Sequence, residues 1–254
     1  MNELNGYLQI GHGPRKVLAM GGWFGEATDW STMAHAFDPE EFTIVLFDYR
    51  GYGLSSHLTG EFNFEESAND AMHLVDQLGW DRFSLIGHSM GGVAIQRLML
   101  AAAGRVEKMV AVTAVPACSA RMDAQRLAMF ESAVTDVEKR EFIINFSTRS
   151  RLPATWIRQA ARRSKERSTA EAFGSYLKQW ATVDFSELVQ GNTTPVKVLI
   201  GEHDPTLNAD LMQGTWLSWY PNSMMETLSN SGHYPMFEVP LALSATIQEF
   251  LRQP

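Results

Sequence analysis

Short, largely apolar runs, each stopped by small or polar residues, recur along the first two-fifths of the chain. Val17–Met20 (VLAM), Phe42–Phe47 (FTIVLF) and Phe83–Ile86 (FSLI) are apolar at consecutive positions, not at alternate ones. Consecutive apolar positions suit strands covered on both faces, so these runs predict neighbouring strands of a parallel sheet. Between the last two lies NFEESANDAMHLVDQLGW, in which Ala68, Met72, Val75 and Leu78 fall on one helical face. Asn63 and Glu66 have capping-box spacing, and Gly79 marks the end of that helix. GVAIQRLMLAAAG predicts a second helix ending at Gly104, and KMVAVTAV (Lys108–Val115) a strand after it. Strand, helix and strand in this rhythm predict βαβ units with right-handed crossovers.

The rhythm breaks between Cys118 and Val183, where apolar positions recur at helical spacing: Leu127, Phe130 and Val134; Phe142, Ile143 and Phe146; Phe173, Tyr176, Leu177 and Trp180. Thr135-x-x-Glu138 and Ser168-x-x-Glu171 read as capping boxes, and Pro153 as a first-turn residue. Strands resume with Val196–Gly201 (VKVLIG) and Ser223–Leu228 (SMMETL), and a terminal helix starts near Pro240 with Leu243, Ile247, Phe250 and Leu251 on its apolar face. The predicted architecture is α/β: a mostly parallel twisted sheet flanked by helices, with a core of residues 1–117 and 184–254 and a helical cap inserted at 118–183. The stripes of the cap serve mainly its own packing, because a helix must bury one face. Phe130, Phe146 and Trp180 are expected to reach a substrate pocket.

A chain of 254 residues, 45% hydrophobic, is long enough for one large core. Its net charge of −8 argues against a general nucleic-acid binder. The charge is uneven, since residues 118–190 carry 12 Lys and Arg against 9 Asp and Glu. Cys118 is the single cysteine, so no intrachain disulfide can form. MNELNGYLQI lacks a basic and then apolar leader, and no apolar run approaches the roughly 18–20 residues of a membrane span. A cytoplasmic, soluble protein without a membrane partner is the expectation.

The run FSLI stops in Gly87-His88-Ser89-Met90-Gly91, and a helix follows. Gly-x-Ser-x-Gly between a strand and a helix has the form of a nucleophile elbow: the serine takes a strained backbone conformation, and the glycines leave room where the chain packs around it. A serine hydroxyl needs a base. Of seven histidines, His12, His35, His57 and His73 precede the elbow, and the expected order is serine, acid, histidine. His233, in NSGHYPMFEVP between the last strand and the terminal helix, is the candidate base. Asp204, in the turn after VKVLIG, is the candidate acid, with Glu202 as fallback and His203 beside it. An oxyanion hole needs two backbone donors: that of Met90, after the serine, and that of Trp23, in MGGWFG after VLAM. Gly22 and His88 join Phe130, Phe146 and Trp180 as expected pocket residues.

MGGWFG, DYRGYGLS, GHSMGG and GEHDP with SGHYPMFEVP, in that order, resemble the α/β-hydrolase superfamily over nearly the whole chain outside 118–183. The resemblance implies Ser89 as nucleophile, Asp204 as acid, His233 as base and Trp23 and Met90 as oxyanion donors. Two departures stand out: Gly21-Gly22 replaces the His-Gly common in relatives, and the short N-terminus implies a reduced or missing first antiparallel strand. In DYRGYGLS, Gly51 and Gly53 suit a tight turn, and Asp48 suits bonds to backbone amides. Relatives with an aspartate at the elbow, dehalogenases and epoxide hydrolases, do not match Ser89. No His-Glu-x-x-His or cysteine pair suggests a metal, and no glycine-rich stretch fits a phosphate or dinucleotide loop, so no cofactor is implied. The expected chemistry is hydrolysis of a small-molecule carboxylic ester, or a lactone. Carbon–carbon bond hydrolysis, perhydrolysis and a ligand-binding receptor on the same fold remain open at this point.

Overall fold

In the computed structural model, which describes residues 3–254, the apolar runs lie side by side in one seven-stranded sheet. The strands are β1 (Tyr7–Ile10), β2 (Arg15–Met20), β3 (Phe42–Phe47), β4 (Phe83–His88), β5 (Val106–Val112), β6 (Val196–Gly201) and β7 (Ser223–Leu228). Their spatial order is β1-β3-β2-β4-β5-β6-β7. β1 runs antiparallel to β3, and every other pair is parallel. β3 and β4 are buried at every position, which is why their sequences lack polar alternation. The edge strands β1 and β7 are only partly buried. The first antiparallel strand is thus present but reduced: four residues, in register from Tyr7 opposite Phe47 to Ile10 opposite Ile44.

Strand ends differ from the apolar runs for local reasons. β5 starts at Val106, which pairs with Phe83, and stops before Thr113, whose φ of 38° turns the chain out of the sheet. Seven longer helices accompany the sheet. α1 (Phe64–Gln77) is capped as expected: the Asn63 side chain accepts from the Glu66 amide at 2.8 Å. Glu66 does not close the box; its carboxylate takes the amides of Glu61 and Phe62. α2 (Gly91–Ala101) follows the serine turn. α3 (Ala124–Ser132), α4 (Val137–Ser147), α5 (Ala154–Glu166) and α6 (Ala170–Thr182) lie between β5 and β6, and α7 (Pro240–Arg252) closes the chain.

Two caps in that helical segment sit one residue later than the sequence suggests. Asp136, not Thr135, accepts from the Glu138 amide, a carboxylate being among the best N-caps. Thr169, not Ser168, accepts from the Ala172 amide, because Ser168 is taken by a β-bridge to Tyr52. The stripe Phe142, Ile143, Phe146 also divides. α4 turns Arg140, Ile143 and Ile144 inward, so Phe142 lies on the other side of the helix, 57% exposed, while Phe146 lies between the two sides, 51% exposed at the edge of the cavity described below. Phe173, Tyr176, Leu177 and Trp180 on α6 are buried together. Met212, Trp216 and Tyr220 are fully buried core. Among the described residues no helix is long and apolar enough to cross a membrane.

The carboxyl ends of the parallel strands meet along one edge, where an open α/β sheet presents its loops to ligands. Asp48, just beyond β3, organises part of that edge. It is buried, and its two carboxylate oxygens accept from the Ala27 amide at 2.8 Å and the Leu54 amide at 2.9 Å. Gly53, at φ 46°, passes so close that a side chain there would strike this carboxylate. Burial pushes the Asp48 carboxyl up to about 7 against the pull of those two amides. Asp48→Ala leaves the buried Ala27 amide and the part-buried Leu54 amide without their acceptor, at a cost of roughly 2 kcal/mol. Calorimetry should therefore show a melting temperature lower by about 5 °C. A variant that melts with the wild type would contradict the assigned role.

Candidate active site

Ser89 follows β4 at φ 53°, in the left-handed region that non-glycine residues rarely occupy. The turn is held from both sides. The Ser89 amide donates to the Val112 and Thr113 carbonyls at 3.2 and 3.1 Å, and the Ser89 carbonyl accepts from Gly92 and Val115, each at 2.9 Å. A side chain at Gly87 would strike the Gly91 carbonyl, and one at Gly91 the Met20 carbonyl. The two glycines that frame the serine are therefore required by close backbone approach.

Three side chains separated in sequence converge here. Ser89 Oγ lies 3.0 Å from His233 Nε2, and His233 Nδ1 lies 2.7 Å from Asp204 Oδ2. With Nδ1–H donated to the carboxylate, Nε2 is left to accept from the serine hydroxyl. The other Asp204 oxygen accepts from the Thr206 amide at 2.9 Å, the Leu207 amide at 3.0 Å and the Thr206 hydroxyl at 3.1 Å. Burial alone would raise the Asp204 carboxyl. The charge and hydrogen bond of His233, with the Leu207 and Thr206 amides, outweigh burial and hold it below the usual carboxylate value.

The loop that carries His233 is fixed by groups with no obvious sequence signature. Glu238 sits five residues on, and its carboxylate accepts from the amides on either side of the histidine, Gly232 at 2.8 Å and Tyr234 at 3.0 Å. Arg151, before α5, completes that site at 2.8 Å. The His233 carbonyl accepts from His88 Nε2 at 2.7 Å and from the Thr113 hydroxyl at 3.0 Å. Burial, reinforced by the neighbouring His233, pushes His88 down to about 3, so it is a neutral donor. A polar residue at the end of an apolar strand was the one hint of Thr113; the Glu-Val-Pro after the histidine was the hint of Glu238.

The amides of Trp23 and Met90 donate to no protein acceptor among the described residues. Gly22 brings the first of them close: a Cβ there would lie 2.7 Å from His88 Nδ1 and 3.1 Å from Ser89 Cβ. Trp23 is buried, and its indole N–H donates to the Phe173 carbonyl at 2.7 Å. Above Ser89 and His233 lies a cavity of about 350 Å³, and Gly22, His88, Phe130, Phe146 and Trp180 all line it. Cys118 is also in its wall, and burial pushes that thiol up. Glu202 is not near His233; it accepts from the Asn230 amide at 2.7 Å and lies 3.7 Å from His203. His12 and His57 pair with Glu40 and Glu3 on the surface.

The family model described as the alpha/beta hydrolase fold matches residues 17–240. A serine hydrolase-like protein of Danio rerio is 39% identical over 83 residues, which is 32% of this chain; the match spans only 25% of that protein's length. The pimeloyl-[acyl-carrier protein] methyl ester esterase of Salmonella enteritidis is 28% identical over 91% of this chain and 92% of its own. Among solved structures, an esterase from Exiguobacterium antarcticum superposes with a TM-score of 0.87 over 97% of this chain and 95% of that one, at 17% identity, a likeness of fold.

The neutrality of His88 gives a test by pH. An unfolded histidine titrates near 6.5 and the folded one near 3, so below 6.5 the unfolded chain binds the extra proton. Stability from this group is present above pH 6.5 and lost as pH falls, at up to about 1.4 kcal/mol per pH unit. Wild type should lose stability against His88→Gln between pH 6.5 and 4 in urea unfolding. Parallel curves for the two proteins would show that His88 is not held neutral.

Proposed function

Because the chain belongs to the α/β-hydrolase fold family, we propose that it is a serine hydrolase cleaving carboxylic esters, and lactones by the same route, of small to medium apolar acids. One observation carries this reading: the relay Ser89–His233–Asp204 lies at a cavity of about 350 Å³ beside two unengaged backbone amides. In the proposed reaction His233 Nε2 takes the Ser89 proton as Oγ bonds to the ester carbonyl carbon. The negative oxygen that forms is met by the Trp23 and Met90 amides; such a donor is worth roughly 10²–10³-fold in rate. Collapse breaks the ester C–O bond, and His233 passes its proton to the departing alkoxide. Water then loses a proton to His233, attacks the acyl carbon, and the proton returns to Ser89 as the acid leaves. Asp204 holds the ring in the required tautomer and stabilises its charged form throughout.

The cavity supports the substrate size. Its volume is at the small end of the roughly 300–1,000 Å³ of ligand pockets. Phe130, Phe146 and Trp180 give its wall an apolar character suited to an acyl or aryl group. The name of the Salmonella relative supports ester hydrolysis as the reaction.

Chromogenic esters from acetyl to dodecanoyl, hydrolysed by wild type and by Ser89→Ala, test this reading. The expected result is wild-type turnover with a preference for shorter chains, and a loss of roughly 10⁴-fold or more in kcat on substitution. Substantial residual turnover in the variant would contradict the role of Ser89. A folded wild type inert to every ester would overturn the esterase reading in favour of carbon–carbon cleavage, perhydrolysis or ligand binding without turnover.

A further inference from the structure

Arg140 is the only buried arginine among the described residues, with no exposed surface. It projects inward from α4, and all its acceptors are neutral: the Ala133 carbonyl at 2.8 Å, the Val134 carbonyl at 3.3 Å and the Ser164 and Ser168 hydroxyls at 2.8 and 3.4 Å. A buried cation without a counter-charge is costly, so its surroundings must compensate. Besides those dipoles it has the face of Phe173, 3.6 Å from guanidinium carbon to ring centroid. Burial pushes the guanidinium down to about 10, so it keeps its charge at neutral pH.

The other face of Phe173 is also occupied. The Trp23 indole stacks on it at 4.0 Å between centroids and 20° between planes. Two groups this close to one ring centre cannot share a face, so guanidinium, phenyl ring and indole form a three-layer stack. Trp23 is then held by the stack on Phe173, by the indole N–H on the Phe173 carbonyl at 2.7 Å, by Phe130 stacked at 5.7 Å, and by its own carbonyl, which accepts from Tyr52 Oη at 3.1 Å. The two shortest side-chain contacts run through Phe173. Gly21 and Gly22 before it and Gly25 after it cannot themselves stiffen this backbone. The peptide that carries the Trp23 amide is held on the loop side by its Gly22 carbonyl, which accepts from the Gly25 amide at 3.1 Å, and by the Gly21 carbonyl, which accepts from Tyr49 Oη at 3.0 Å; the Trp23 side chain adds the anchor on the helical side.

Resting on the serine-hydrolase reading, we propose that Arg140 is a positioning residue for the oxyanion hole: it clamps Phe173, which holds Trp23 and so aims the Trp23 amide. Arg140 touches neither substrate nor the reacting atoms. It ties the α3–α4 turn, the end of α5 and the first turn of α6 to the loop that carries the amide. A misaimed donor lowers transition-state stabilisation without weakening ground-state binding, so kcat falls and KM does not rise.

The test combines kinetics with a direct probe of Trp23. The Trp23 indole N–H resonance is assigned by its loss in Trp23→Phe, and its hydrogen exchange is compared in wild type, Arg140→Met and Arg140→Lys. In Arg140→Met, exchange at Trp23 should rise roughly tenfold or more while the Trp30 indole is unchanged. Its kcat on the preferred ester should fall roughly 10- to 100-fold with KM within about twofold. Arg140→Lys, which keeps the charge but loses the flat stack, should fall between. If Arg140→Met does not fold, Arg140→Lys and Phe173→Leu carry the same comparison. Unchanged exchange at Trp23 would overturn the proposal, as would raised exchange with kcat intact. Either result leaves the serine-hydrolase reading standing. That reading fails separately, if wild-type turnover survives Ser89→Ala.

Discussion

A serine held at φ 53° between a buried strand and a helix leaves the chain almost no freedom around it. The Ser89 amide and carbonyl are tied to the end of β5 and the segment after it, and the backbone passes too closely at Gly87 and Gly91 for any side chain there. That turn places Oγ at the carboxyl edge of the sheet, and everything else at this edge is arranged around that point. His233 must reach it from beyond β7, Asp204 from beyond β6 and Trp23 from beyond β2. The parallel order of those strands makes such convergence available, because their carboxyl ends all open on one side.

Loops reaching that far would be mobile without anchors, and here the anchors are buried carboxylates that accept from backbone amides. Asp48 holds Ala27 and Leu54, Asp204 holds Thr206 and Leu207, and Glu238 holds Gly232 and Tyr234. A charged acceptor makes the stronger kind of hydrogen bond, and two amides on one carboxylate fix direction as well as distance. The helical segment uses the same means to grip the sheet domain. Arg163 on α5 bonds the buried Glu26 at 2.8 Å, and Arg151 bonds Glu238 at 2.8 Å. Together with the stack of Phe173 on Trp23, these join the helices over the cavity to its floor.

Much of this was legible in the sequence because it rests on local pattern. Val196–Gly201 and Ser223–Leu228 were marked at both ends by the turn from apolar to small or polar residues. Gly-His-Ser-Met-Gly announced the turn because only glycine tolerates its contacts. What was not legible depends on side chains meeting across long separations. Nothing around Arg140 says that its fourfold bonding is to neutral oxygens, or that it shares a ring with Trp23 more than a hundred residues earlier. Nor does the stripe Phe142, Ile143, Phe146 say which side of α4 faces inward, since Arg140 and Ile144 are what settle it. Thr135 and Asp136 are both good caps, and only the geometry of the turn chooses between them.

Covalent labelling reads out whether Ser89 is a nucleophile activated by His233. Wild type and His233→Ala would be treated with a fluorophosphonate, digested and mapped by mass spectrometry. One adduct, on Ser89, is expected in wild type and a greatly diminished one in His233→Ala. A folded wild type that forms no adduct, or forms it on another residue, would mean that Ser89 is not an activated nucleophile.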